Sequence, residues 1–503
     1  MIDKVNQIYM LLNQLNNLIL ELKNDIAKYN TEILELVKTA YPKVDVELFS
    51  RFLSKPYALI QRKEDEWYLV IPKFIEPDVD YGYLFQETES YRIYIVNRYI
   101  GWIYDLPEDL RRELNLPKYR TTAWIEDKYL VTTPELRDSI YQRYKKYLYR
   151  IVDANRIQVK RNRLPDLLAQ LVKDGILPYK PTPVGKDDLI DRECKIKLRD
   201  YQFEAYQKFL KYGHLGIFYP PAMGKMYLSL YIMTKLKGKK LIVVPTNTLK
   251  EEWIRKIKSL TPLEEDEYQI ITYQLANYPS FNQVLRQEWT LLILDEVHHI
   301  PSDTYHKIAW IKRKYTLGLS SSPYREDHRE YLIFALSGFP HGLRWSIFRE
   351  KGLIKPPKID LFILKDYKGK IKKLIELVKS RDGKTIIFTD SIELGNKLSK
   401  TLNAPFIHGG TRKNRLRQIE ESNLVILSRV GDEGIDITDI KNIYEVSFLY
   451  GSRRQQLQRV GRLLHSRYKG YYAILMTTEE YAKYRKRLYS ILEKGFTINI
   501  KTE

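Results

Sequence analysis

The chain has 503 residues, enough for roughly three or four domains, and its 84 Lys+Arg against 63 Asp+Glu leave a formal net charge of +21. That balance favours a polyanionic partner, most simply nucleic acid, over an anionic membrane surface, because no segment is long and apolar enough to span a bilayer. A single cysteine, Cys194, excludes an intrachain disulfide and a Cys-rich zinc site, and Asp3 and Lys4 lead into a helix studded with Asn and Gln rather than a signal peptide, so an intracellular protein is expected.

Residues 2–40 carry a heptad, with Val5, Leu12, Ile19, Ile26 and Ile33 at one position and Ile8, Leu15, Leu22, Tyr29 and Leu36 at the other. The pattern predicts a coiled-coil helix over 1–42, ended by Pro42. Leu11 and Leu18 widen the stripe, so self-association (a homo-oligomer), a partner helix and docking onto the chain's own body all remain open. Residues 43–140 read as a small mixed α/β domain. Trp67–Ile71 and Tyr91–Val96 are β-prone runs, and Leu106-Pro107-Glu108-Asp109 opens a short helix. Residues 141–190 read as a basic helix and linker. Arg143, Lys145, Lys146, Arg150, Arg156, Lys160, Arg161 and Arg163 are interleaved with Tyr141, Tyr144, Tyr147 and Tyr149 over 141–163. Cations for phosphates and aromatic faces for bases suit a single strand, while a solvated basic face on a bridging helix is the alternative. Pro178–Gly185 reads as the linker. The forty tyrosines and few Cys and Met fit a thermophilic source or a genome of biased base composition.

From residue 191 apolar runs alternate with amphipathic ones. Strands are expected at Leu241–Val244, Leu291–Leu294, Thr385–Phe388, Leu424–Leu427, Ile443–Ser447 and Tyr471–Leu475, with helices between them. Such alternation means parallel α/β architecture. The length accommodates two such domains, 191–338 and 369–503, joined by a connector over 339–368.

The chemistry-bearing residues fall in this part. Leu291–Leu294 ends in Asp295-Glu296-Val297-His298-His299, an acidic pair at the carboxyl end of a buried strand, where open α/β sheets bind ligands. An Asp there suits Mg²⁺, and a Glu beside it can take a proton from an attacking water. Upstream, Pro221-Ala222-Met223-Gly224-Lys225 turns a strand into a helix, a geometry whose N–H groups cradle phosphate, with Lys225 reaching the β and γ phosphates of a nucleotide. Met226 stands where a P-loop has Ser or Thr for Mg²⁺, and a thioether is a poor partner for a hard cation. Arg199 and Gln202 precede the loop. Pro245-Thr246-Asn247 follows the next strand as a helix start suited to a phosphodiester. Further on stand Ser320-Ser321-Ser322, Arg325-Glu326-Asp327, Ile387–Asp390, Val430–Asp436 and Gly451–Arg462.

In this order the motifs resemble superfamily-two helicases and, through D-E-V-H-H, R-E-D, V-G-D-x-G-I-D and G-S-R-R-Q…Q-R-x-G-R, their XPB-like branch. The resemblance covers about 191–503. It implies two RecA-like domains with ATP between them and DNA running across both. By that resemblance Lys225 binds phosphate, Asp295 holds Mg²⁺, and Glu296 activates water. Arg199 and Gln202 bind adenine, and Pro221 to Met226 line the phosphates. Gly434, Asp436 and Gln458 lie near the nucleotide, and Arg459 and Arg462 complete the site, Arg462 as the arginine finger. Pro245, Thr246, Asn247, Ser320, Ser322, Arg325, Glu326 and Asp327 serve the nucleic acid. Met226, and His465 where the branch has a further arginine, depart from the pattern and bear on turnover. The short 339–368 leaves no room for the large thumb-like insertion of the branch, which bears on strand separation. The expected activity is an ATP-dependent DNA helicase, with a duplex translocase and an ATPase-dead scaffold acting through the coiled coil as alternatives.

Overall fold

The computed structural model describes residues 57–63, 66–73, 82–89, 91–106, 108–325, 327–411, 415–428, 439–448, 453–464 and 469–503, with scattered helical positions between 14 and 35. The heptad residues that carry the coiled-coil expectation lie outside the described residues, as do Glu326, Gly434, Asp436 and His465. Among the described residues no helix is long and apolar enough to cross a membrane.

Contacts divide the chain into a smaller unit built largely from residues before 97 and a larger one holding nearly all of the remainder. The smaller unit contains strands β1 (Ala58–Lys63), β2 (Glu66–Pro72), β3 (Tyr83–Glu87) and β4 (Tyr91–Asn97) in the order β1-β2-β4-β3. The predicted Trp67–Ile71 and Tyr91–Val96 runs are β2 and β4. Trp67, Leu69 and Ile71 are buried on one face and Val70 lies under the other, which is why an apolar run here is a strand buried on both sides.

A second antiparallel sheet, in the larger unit, contains β5 (Ala123–Glu126), β6 (Tyr129–Thr132), β7 (Leu148–Ile151) and β8 (Arg156–Val159), ordered β5-β6-β8-β7. This corrects the basic helix expected over 141–163: the helix is Pro134–Tyr144, and a hairpin follows it. Two forces override the helix-like spacing of charges. Asp153 Oδ1 accepts the backbone N–H of Asn155 and of Arg156, both at 2.9 Å, and so builds a turn. Leu148, Ile157 and Val159 are buried with strand periodicity, leaving Tyr149 outside at 62% exposure. The helix Leu164–Lys173 then packs on the helix Tyr331–Ser337, Tyr305 donates its hydroxyl to the carbonyl of Pro165 at 3.1 Å, and Tyr99 stacks on Phe334 at 4.9 Å. Pro178–Gly185 has little regular structure, as expected of a linker. It is nonetheless fastened down, with Tyr179 buried and its hydroxyl donating to Ala335 O at 2.9 Å.

Two wholly parallel sheets follow. The first runs β11-β10-β12-β13-β9-β14, with β9 (His214–Phe218), β10 (Lys240–Val244), β11 (Tyr268–Thr272), β12 (Trp289–Leu294), β13 (Arg313–Ser320) and β14 (Phe339–Gly342). The second runs β17-β18-β16-β19-β20-β15-β21, with β15 (Lys358–Leu364), β16 (Lys384–Phe388), β17 (Phe406–Ile407), β18 (Leu424–Leu427), β19 (Ile440–Glu445), β20 (Tyr471–Thr477) and β21 (Ile498–Thr502). Both are RecA-like lobes: apolar strands buried on both faces, helices in the crossovers, and loops collected at the carboxyl ends. The strands expected from Leu241 to Leu475 lie in β10, β12, β16, β18, β19 and β20, with Ile443–Ser447 running past the end of β19. The segment 339–368 is a connector only in its middle, because β14 completes the first sheet and β15 is the penultimate strand of the second. What joins the lobes is residues 343–357, with the short helix Trp345–Glu350. That helix is held by both lobes: Trp345 meets Phe496 edge-on at 5.6 Å and Arg349 donates to the carbonyl of Lys494, while Phe348 meets Tyr201 and Tyr219 of the first lobe edge-on at 5.1 and 5.7 Å.

Candidate nucleotide cleft

Strand order positions the site. The phosphate-type loop leaves β9, the acidic pair leaves β12, and β13 lies between them carrying Ser320 at its end. Three motifs far apart in sequence therefore converge at one sheet edge.

The loop is shaped by its own residues. Ala222 and Gly224 have φ of +60° and +73°, conformations that turn successive N–H groups the same way. At Gly224 a Cβ would collide with the amide of Gln202, so this glycine is required twice, for its φ and for the close approach. Gln202 is 4% exposed. It accepts from Arg199 N at 2.9 Å and donates to Gly224 O at 3.0 Å, while Tyr201 donates its hydroxyl to Met223 O at 3.0 Å. In this conformation the side chain expected to read adenine is spent on bracing the loop, while Arg199 is exposed beside it. Lys225 begins the helix Lys225–Lys235 and turns its ammonium back onto the carbonyls of Tyr219 and Pro220, at 2.9 and 3.1 Å. Burial lowers its proton affinity and the charges of Glu296 and Asp295 oppose that shift.

Asp295 is 6% exposed. Its Oδ2 accepts the indole N–H of Trp253 at 2.7 Å, its Oδ1 accepts the N–H of Glu296, and its carbonyl accepts the hydroxyl of Tyr273 at 2.9 Å. Burial, and then the adjacent Glu296, push its carboxyl up to about 7, against the opposing pull of Trp253 and Lys225. Glu296 has φ +47°, a costly conformation for a residue with a Cβ, and it turns the second carboxylate away from the first. Its Oε2 lies 3.4 Å from Ser321 Oγ and 3.5 Å from His298 Nδ1. Ser320 Oγ sits 2.7 Å from His298 Nδ1 and donates to Ser322 O at 2.6 Å. One hydroxyl proton cannot serve both, so His298 carries its proton on Nδ1 and donates to Ser320. Ser321 is thus bonded to Glu296, while His298, Ser320 and Ser322 form a hydrogen-bonded set beside it.

The donor set suits a hard divalent cation: a buried carboxylate whose negative charge is poorly compensated gains from one, and phosphate oxygens and water can complete the shell that Met226 does not. When bound, such an ion supplies charge to the phosphates. Among the described residues no cluster of three or more His, Cys, Asp or Glu could hold a metal by itself.

Other predicted residues take different roles. Thr246 caps the helix Asn247–Leu260 by accepting Leu249 N at 3.2 Å, with Pro245 partly exposed and Asn247 exposed beside it. Arg325 was expected at the nucleic acid. Its side chain is 8% exposed, it donates to the carbonyls of His298 and Ile300 at 2.9 and 3.1 Å, and it pairs with Asp327 through two 2.8 Å bonds. Here it locks the turn after the acidic pair. Arg459, expected at the nucleotide, is fully buried in the second lobe between Glu445 at 2.5 Å and Asp390 at 3.1 Å, under the ring of Phe388. A guanidinium so enclosed serves the lobe's interior. Arg462 and Gln458 are partly exposed on the same segment. Gly461 lies against the phosphate-type loop, where a Cβ would come within 2.9 Å of Pro221 Cβ. Arg462 is the next residue in the chain after this approach.

Sequence reasoning missed Trp253, Tyr273, Glu445 and Arg487. The first two lie 42 and 22 positions from Asp295 and carry no local signal beyond apolar helical or strand spacing.

Two RecA-like lobes with a phosphate-type loop and acidic pair on one and an arginine-bearing helix of the other against that loop define the two-lobed P-loop motor class. Residues 195–325 match the family model of the type III restriction enzyme res subunit, and residues 358–503 match the ERCC3/RAD25/XPB C-terminal helicase model. The chain is 30% identical over 358 residues to a putative DNA 3'-5' helicase Rad25 of Haloarcula marismortui, covering 62% of this chain and 58% of that one. It is 29% identical over 394 residues to the DNA 3'-5' translocase XPB2 of Sulfurisphaera tokodaii, covering 62% and 87%. Against a Rad25 relative from Halobacterium salinarum it spans 66% of the relative's length. Among solved structures, Saccharomyces cerevisiae Dbp5 bound to RNA and ADP BeF3 shares the fold, with a TM-score of 0.50 at 15% identity over 61% of this chain and 90% of that one. Residues 195–325 and 358–503 thus carry the domains of these two models, and the chain is similar to DNA helicases and translocases named Rad25 and XPB2.

Proposed function

We propose that this chain is an ATP-dependent DNA motor that couples ATP hydrolysis to strand separation, moving 3' to 5' as the names of its relatives state. The observation that carries the reading is the approach of Gly461 to Pro221, which brings the arginine-bearing helix of one lobe to the phosphate-type loop of the other. Lys225 would leave the carbonyls of Tyr219 and Pro220 for the phosphates, and the raised proton affinity of Asp295 would fall as Mg²⁺ joins it. Glu296, held by Ser321 and His298, is oriented to accept a proton from water, and Arg462 would meet the charge that develops on the transferred phosphoryl group. The hydrogen bonds joining His298, Ser320 and Ser322, beside Glu296, would pass the state of the cleft to the strand. Nucleic-acid affinity would rest on phosphate contacts and fall steeply with salt.

Phosphate release with and without DNA tests this, with Lys225→Ala as reference. The expected result is DNA-stimulated turnover that Lys225→Ala lacks; equal, unstimulated release from both would leave a binding scaffold. A second reading, translocation on duplex without unwinding, is favoured by Arg325 and Asp327. They are paired with each other and with the turn after the acidic pair rather than presented to a strand. Triplex displacement without fork unwinding would select it.

A further inference from the structure

The helix Asn247–Leu260 touches four separate parts of the machinery. Its first residue follows the cap Thr246, in the segment offered to nucleic acid. About two and a half turns of helix later, Lys256 donates to the hydroxyl of Tyr227 at 2.8 Å, on the helix that Lys225 begins. Arg255 pairs with Glu420 of the second lobe at 2.6 Å. Between Thr246 and these, fully buried Trp253 holds Asp295 Oδ2 at 2.7 Å.

Trp253 is an unusual choice for a plain core position. Leu or Phe would fill the space between helix and sheet without a donor, whereas a buried indole N–H needs an acceptor. Here the acceptor is the carboxylate assigned to Mg²⁺. The departure at Met226 raises the importance of that contact: with no hydroxyl on the loop, Asp295 is the one protein oxygen assigned to the ion, and its orientation depends on its other bonds. Oδ1 is tied to the adjacent N–H of Glu296, so the remote hold on the carboxylate comes from Trp253.

We propose that Trp253 is a positioning residue whose indole N–H sets the Asp295 carboxylate for Mg²⁺ and, through the helix Asn247–Leu260, ties that setting to nucleic acid held at Thr246. The inference rests on the ATPase reading above. DNA seated at the start of the helix would fix the helix, the helix would fix the indole, and the indole would fix the carboxylate.

The test uses the full chain with Trp253→Phe. Calorimetry measures ATPγS binding with EDTA and with Mg²⁺, and phosphate release gives the stimulation by DNA. The expected result is unchanged binding in EDTA, a Mg²⁺-dependent gain in affinity reduced at least fivefold, and DNA stimulation reduced at least fivefold. Tyr273→Phe, which removes a bond to the carbonyl of Asp295 and not to its carboxylate, sets the size of a merely structural effect. β-(3-Benzothienyl)alanine at 253 keeps the bicyclic volume while deleting the N–H, and serves if Trp253→Phe does not fold. A Mg²⁺ gain and a stimulation both within twofold of the parent chain would overturn the inference. The motor reading itself fails only if the parent turns over no faster than Lys225→Ala.

Discussion

The two lobes place a carboxylate at the same point of the same architecture and treat it in opposite ways. Asp295 follows central strand β12 of the first lobe; Glu445 ends central strand β19 of the second. Both are buried, and burial raises the proton affinity of each. Around Glu445 the guanidiniums of Arg487 and Arg459, the hydroxyl of Tyr472 at 2.6 Å and the amide of Gln456 at 2.8 Å outweigh burial and hold the carboxyl below its usual range. Around Asp295 the indole N–H of Trp253, the backbone N–H of Glu296 and a lysine turned onto backbone carbonyls do not, and the Glu296 carboxylate adds a like charge. A satisfied charge belongs to structure, whereas an unsatisfied one at a cleft is held ready for a ligand. The same contrast separates the arginines: Arg459 is spent inside the second lobe, and Arg462, three residues on, is partly exposed on the segment that meets the loop.

The contrast can be broken by substitution. Glu296→Gln or Arg462→Ala should lower DNA-stimulated kcat by about a thousandfold while leaving the melting temperature unchanged, measured by phosphate release and calorimetry. A stable variant retaining more than a tenth of the activity would remove that residue from the cleft. Glu445→Gln, by contrast, strands two buried guanidiniums and should cost about 3–5 kcal/mol of stability in denaturant unfolding. A loss below 1 kcal/mol would show that the cluster does not organise the lobe.

Asp295→Asn should do the reverse of Glu445→Gln, abolishing turnover while stabilising the ligand-free protein by about 1–3 kcal/mol at pH 8. The sign follows from the upward shift to about 7: between the unfolded value and 7 the unfolded chain releases its proton first, so folding is penalised as pH rises. The gain should therefore grow from pH 4 to pH 8, and a pH-independent difference would show the carboxylate to be unstrained.

The smallest effect concerns His341, buried between Tyr219 and Lys208 and pushed down to about 4 by burial and the lysine ammonium. The unfolded chain takes its proton first, so this contribution is present above pH 6.5 and is lost as pH falls toward 4, by about 1 kcal/mol per pH unit. Asp295, shifted upward, works in the opposite direction over the same range, so the test is a double difference. The stability gap between parent and His341→Gln should narrow from pH 7 to pH 5, and a constant gap would mean that His341 titrates normally.

The parallel sheets were legible because strands buried on both faces are written as unbroken apolar runs, as in Leu291–Leu294, and the acidic pair and Gly224-Lys225 were legible because each is a contiguous motif at the end of such a run. The hairpin Leu148–Val159 was misread as helix because abundant Arg, Lys and Tyr mask a short strand alternation, and because the turn depends on one Asp153 side chain. The interior role of Arg459 was equally out of reach, since an arginine finger and a buried ion pair use the same residue type.

The amino-acid order by itself determined two parallel α/β lobes, their motifs and the ends of strands at which chemistry collects, because hydrophobic periodicity and turn chemistry act over a few residues. Only the tertiary structure decided which charges are matched and which are left wanting, since the partners that settle this, Trp253 for Asp295 and Arg487 for Glu445, lie 42 residues away in each case. Coulomb and hydrogen-bond energies depend on distance in space and on burial, and neither is written locally in the chain.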